Sequence, residues 1–233
     1  SQSKEQPGNF QNYSWNENGE IILRCDNGYY TLNLSADKLI SRIILPENSD
    51  NIIFNASGQY VVYTVDDDLY IKYNDDEVRQ ITSDGGNGIV NGKSVHRNEF
   101  GISGGIFISP ENHFIAFYRK DESMVSQYPL VNYMERVAEF TPVRYPMAGM
   151  ESEQVKIGIY DIFTNNTIFL KTKPGSDHYL TNLSWSPDEK HVYLAELNRE
   201  QNHMKLNCYN TATGEKTKTL FEEKHDKYVE PLY

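Results

Sequence analysis

NIIFNASGQYVVYTVDDDLYIKYNDDEVRQIT, residues 51–82, holds four short apolar runs separated by three turn signals. The runs are 51–55, 60–65, 69–73 and 78–82. The turns are Ala56-Ser57-Gly58-Gln59, Asp66-Asp67-Asp68 and Asn74-Asp75-Asp76-Glu77. Each run is too short for a helix and rich in the β-branched and aromatic residues that suit a pleated surface. Clustered Asn, Asp, Ser and Gly reverse the chain between strands at backbone angles β-branched residues resist. The grammar is therefore one antiparallel sheet of four strands. Its second strand, Tyr60-Val61-Val62-Tyr63, is apolar on both faces and has to be covered from both sides.

The same order occurs three more times. The units run over residues 12–45, 51–82, 106–172 and 183–221. Their first turns are Asn16-Glu17-Asn18-Gly19 in the first unit, Glu111-Asn112-His113 in the third and Asp188-Glu189-Lys190 in the fourth. Phe114-Ile115-Ala116-Phe117 repeats the doubly apolar second strand. Stacked four-stranded blades satisfy such strands, because each blade is covered by its neighbours. The expected fold is all-β: β-propeller blades over residues 12–233, after a flexible start at 1–11. Closed propellers hold four to eight blades, and Tyr228-Val229-Glu230-Pro231-Leu232-Tyr233 reads as the approach to another strand, so a partial propeller is expected. Two insertions break the spacing, near 85–105 and 120–154. In repeat folds such insertions gather on one face, often the binding face.

Composition narrows the function. The 233 residues carry a net charge of −11, which disfavours phosphate backbones and anionic lipid as partners. No apolar run is long enough for a transmembrane helix. Cys25 and Cys208 stand far apart, each inside an expected strand and outside any metal spacing, so small buried hydrophobes are expected, with a single disulfide between them as the open alternative. Gly101-Ile102-Ser103-Gly104-Gly105 matches G-x-S-x-G, but a nucleophile elbow needs a strand before it and a helix after it. Here a polar glycine-rich lead precedes a strand, so no catalytic residue is assigned. Asp66-Asp67-Asp68 and Asp75-Asp76-Glu77 lack the alternation and the glycine of a calcium loop, and the six histidines have no zinc spacing. No metal and no cofactor are expected.

Several motifs resemble the propeller region of the dipeptidyl peptidase IV and prolyl tripeptidyl peptidase family. They are Asp68-Leu69-Tyr70-Ile71-Lys72 with Gln80-Ile81-Thr82, then Asn91-Gly92, then Val95-His96-Arg97-Asn98-Glu99-Phe100-Gly101, then Ile108-Ser109-Pro110 and finally Arg144-Tyr145-Pro146-Met147-Ala148-Gly149. The likeness is clear from about residue 50 to 225 and weaker before it. It implies an eight-bladed propeller capping a C-terminal α/β-hydrolase domain of the same polypeptide, which carries the Ser-Asp-His triad. It also implies peptide substrates with proline in second or third place, an exported protein of the periplasm or cell surface, and room for a homodimer. Substrate-binding roles then fall on Glu99, Arg97 and Asn98, with Glu99 holding the free amino terminus. Where the dipeptidyl branch carries adjacent glutamates, residues 96–99 hold one. This resembles the tripeptidyl branch and leaves the cut position open. A surface pair between Glu99 and Arg97 is the plain alternative for that carboxylate, and a stand-alone interaction scaffold is the alternative for the chain.

Overall fold

The computed structural model describes residues 8–26, 28–74, 76–134, 136–175 and 178–231. The start at 1–7, turn residues Asn27 and Asp75, and the last two residues of the terminal segment lie outside the described residues. The chain divides into two compact units, residues 1–83 and 84–233.

The first unit contains two four-stranded antiparallel sheets. One is formed in order by β1 (Phe10–Trp15), β2 (Ile21–Cys25), β3 (Gly28–Asn33) and β4 (Lys38–Ile44). The other is formed by β5 (Ser49–Phe54), β6 (Tyr60–Val65), β7 (Asp68–Tyr73) and β8 (Val78–Gln80). The expected flexible start is corrected at its end: β1 opens at Phe10, which pairs with Cys25 across a bulge. The two sheets share a cluster of Ile22, Tyr29, Ile43, Val61 and Tyr63. As the doubly apolar pattern requires, Tyr60 to Thr64 of β6 are all buried.

The second unit repeats the plan with additions. β9 (Ile89–Asn91) and β10 (Ile106–Ile108) both pair with β11 (Phe114–Asp121). After the hairpin β12 (Gln127–Asn132) and β13 (Glu139–Arg144), the sheet resumes with β14 (Gln154–Asp161) and β15 (Asn166–Phe169). A last sheet is β16 (His178–Trp185), β17 (His191–Asn198), β18 (His203–Asn210) and β19 (Lys216–Lys224), in that order. The core between these sheets includes Ala116, Tyr118, Ile157, Ile159, Leu180, Val192 and Leu194. Buried Tyr118 donates its hydroxyl hydrogen to the carbonyl of Leu180 at 3.0 Å, joining one sheet to the next. Gly158 lies opposite Phe117, whose ring would sit 2.4 Å from any Cβ built there. The long insertion at 120–154 is therefore not one loop: its ends extend β11 and β14, and its middle is an exposed hairpin.

One device recurs at the first turn of all four sheets. Asn16, Asn55, Ser109 and Ser186 are buried. The Asn55 Oδ1 accepts the backbone N–H groups of Gln59 and Tyr60 at 2.8 and 2.9 Å. Asn16 Oδ1 does the same for Asn18 and Glu20. Ser109 Oγ accepts from Phe114 N–H at 2.9 Å, and Ser186 Oγ from His191 N–H at 3.0 Å. A short side-chain oxygen thus satisfies backbone donors that the turn would otherwise leave buried and unpaired. Both cysteines are free and buried inside strands.

Candidate functional site

The segment between β9 and β10 has an unusual backbone. His96, Arg97 and Asn98 take φ values of 50, 58 and 61°, and after Glu99 at −76° Phe100 returns to 55°. Non-glycine residues reach this left-handed region at a cost and stay there only where surrounding contacts dictate it. Here the contacts are identifiable. The Glu153 Oε1 accepts the backbone N–H of His96 at 2.6 Å. The His96 Nε2 accepts the N–H of Leu180 at 3.2 Å, which places the ring proton on Nδ1. Thr181 Oγ1 donates to the Phe100 carbonyl at 2.6 Å, and the Phe100 and Tyr179 rings pack with centroids 4.8 Å apart. Both ends of the turn are thus tied to the start of β16.

His96 is a structural clamp. Its Nδ1 lies 3.4 Å from Glu153, yet the imidazole is neutral. Burial pushes its pKa down to about 3, and the neighbouring His178, Arg199 and Lys120 push the same way.

The clamped turn borders a cavity of about 500 Å3. Arg97 and Glu99 line it. Asn98 does not: its side chain meets Ser94 Oγ. The expected trio is thus split, two residues at the cavity and one holding the turn. The surface pair of Glu99 with Arg97 does not form among the described residues. Instead the Arg97 guanidinium lies 4.2 Å over the ring of Tyr145. Glu99 is exposed.

The remaining walls come from the Arg144-Tyr145-Pro146 motif and from segments that carry none. Arg144 donates to the carbonyls of Glu122, Ser123 and Val125 at 3.0 to 3.1 Å, pinning the base of the β12–β13 hairpin. That holds Tyr145 under Arg97. Lys120 pairs with Glu122 at 2.8 Å. Arg199, in the turn between β17 and β18, lies 5.6 Å over the ring of Tyr179, and Gln201 lines the same cavity. Glu153 and Arg199 were missed in the sequence because they stand 57 and 102 residues from His96 and Arg97 in no local pattern. One signal was available. The insertion at 120–154 fills the turn between the second and third strands of its sheet, and Arg199 occupies the matching turn of the next sheet. Equivalent turns share an edge, so both reach one cavity.

Ser103 is exposed in coil and is followed by β10, so the G-x-S-x-G match has no helix behind it. Among the described residues no group of three or more His, Cys, Asp or Glu is placed to hold a metal, and no helix is long and apolar enough to cross a membrane.

Comparison with known proteins agrees with this architecture. A Bacteroides ovatus structure named as a dipeptidyl aminopeptidase IV superposes with a TM-score of 0.84 at 46% identity, over 91% of this chain and 29% of that one. Porphyromonas gingivalis dipeptidyl peptidase 4 shares the fold, with a TM-score of 0.78 at 24% identity over 98% of this chain and 35% of its own. "Probable dipeptidyl-aminopeptidase B" of Talaromyces marneffei is 32% identical over 60% of this chain and 18% of its length. That of Pyrenophora teres f. teres is 29% identical over 69% of this chain and 20% of its length. The chain thus spans about a fifth of the curated relatives it matches. The family model of the dipeptidyl peptidase IV N-terminal region matches residues 14–232, and the chain, a set of four-stranded propeller blades, belongs to that family.

Proposed function

We propose that this chain is the substrate-gating, amino-terminus-binding propeller region of an exported serine exopeptidase, which releases dipeptides or tripeptides after proline. A C-terminal hydrolase domain of the same polypeptide would supply the triad. The carrying observation is Glu99: its carboxylate lines the cavity, has no ion-pair partner among the described residues, and sits on a turn held by buried contacts. An exopeptidase measures its cut from a free amino terminus, and an ammonium group is a point charge with three donors. A fixed carboxylate is its counterpart, in a charge-assisted hydrogen bond that contributes roughly 1.5–3 kcal/mol.

Kinetics of the full-length peptidase test this. Glu99→Gln should lower kcat/KM on free-amine prolyl chromogenic peptides by about tenfold to a hundredfold, at about 1.4 kcal/mol per factor of ten. An amino-terminally blocked substrate should lose little further activity in that variant. An unchanged kcat/KM on free-amine substrates would move the anchoring role to another carboxylate.

A further inference from the structure

The cavity beside Glu99 has a charge pattern that an ammonium alone does not explain. It is walled by the cations Arg97, Lys120, Arg144 and Arg199. Against them stand the carboxylates Glu99, Glu122 and Glu153. In a chain of net charge −11, an excess of cations at one cavity reverses the prevailing sign. The buried His96 registers the same field, its proton affinity lowered by Arg199 and Lys120 after burial itself.

Most of these charges are already satisfied. Lys120 holds Glu122, Arg144 holds three carbonyls and Glu153 holds the His96 N–H. Glu200, next to Arg199, accepts from the Asn198 amide at 2.9 Å. Among the described residues, Arg97 and Arg199 meet no carboxylate. Each guanidinium lies instead over a tyrosine ring. A ring contact does not take up the five N–H donors of a guanidinium as a carboxylate would, so donors remain for a second partner. Stacking also orders a side chain that would otherwise sample many rotamers, which lessens the entropy lost on binding.

We propose that Arg97 and Arg199 form an anion subsite that recognises an acidic side chain on the amino-terminal residue of the peptide substrate. The inference rests on Glu99 taking the ammonium of that residue, since ammonium and side chain leave the same Cα and must then enter the same cavity. A carboxylate suits a guanidinium edge because two N–H donors meet two oxygens. A neutral amide of the same shape offers one acceptor and no charge, and a lysine at that place brings repulsion.

The test uses the full-length peptidase and chromogenic substrates that differ only at the first residue: Glu, Gln or Lys followed by Pro, and the same three followed by Ala-Pro. Glu should exceed Gln in kcat/KM by about tenfold and Lys should be poorest, with the Glu-to-Gln ratio narrowing as salt is raised. Arg199→Gln should bring that ratio toward one, and Arg199→Lys should keep part of it, since the charge stays but the planar edge is lost. A Glu-to-Gln ratio of one in the unaltered enzyme would overturn the proposal. So would a ratio that survives both Arg97→Gln and Arg199→Gln. Failure of the amine anchor reads out separately: Glu99→Gln assayed on the Gln-first peptide tests that role alone.

Discussion

The repeated turn bracket is where single residues bear most directly on stability. Asn55 is 1% exposed and satisfies two backbone donors at once. Removing its amide leaves the buried Tyr60 N–H without that partner, at a cost of about 1–3 kcal/mol. Asn55→Ala should lower the urea midpoint with no change in the slope of the transition, whereas Asn55→Asp, which keeps the acceptor, should recover most of the loss. Equal midpoints for Asn55→Ala and the unaltered chain would mean that water serves the turn as well as the side chain does. This device was half legible. Asn18-Gly19, Ser57-Gly58 and the Ser-Pro pairs at 109–110 and 186–187 marked the turns, because the backbone angles favour those residues. That the preceding Asn or Ser points inward depends on burial by neighbouring sheets, which no local pattern records. The same holds for Gly158, an unremarkable strand glycine until Phe117 is found lying against it.

Among the elements, the left-handed segment 96–101 combines strain with a buried titratable clamp. His96 is neutral in the folded chain, with a pKa pushed down to about 3 by burial, while the unfolded chain takes up a proton near its ordinary value of about 6.5. Between these values the unfolded state binds more protons. The clamp's contribution is therefore complete above about pH 6.5 and is lost progressively as pH falls toward 3. Thermal melting at pH 7 and pH 5 should show a larger drop in Tm for the unaltered protein than for His96→Gln; equal drops would mean that His96 already carries a proton when folded. At this scale the strands were readable, since period and turn chemistry are local. The hairpin β12–β13 was not: its strand residues, exposed except Arg144, present no buried face to set a period. The cavity's far wall was unreadable for the same reason that makes it a wall, because Arg199 and Arg97 come to line one cavity only through the packing of one sheet on the next.

At the scale of the whole molecule, the one elbow-like motif leads into a strand, not a helix. The 233-residue chain should therefore leave Gly-Pro and Ala-Ala-Pro chromogenic peptides intact; hydrolysis that vanishes on Ser103→Ala would contradict this. A different consequence follows from the ladder of β11 and β14. Its nearest pair, Asp121 and Gln154, stands 33 residues apart in sequence, while β6 meets β7 across Val65 and Asp68 and β17 meets β18 across Leu197 and Met204. Closing the longer loop costs more chain entropy before any contact repays it. The sheets built from tight hairpins should zip first, and the sheet that carries the left-handed turn should assemble last. During refolding, amides of β6 and β17 would gain protection from hydrogen exchange ahead of those of β14, so the part of the chain to which we assign peptide recognition would also be the part that matures latest.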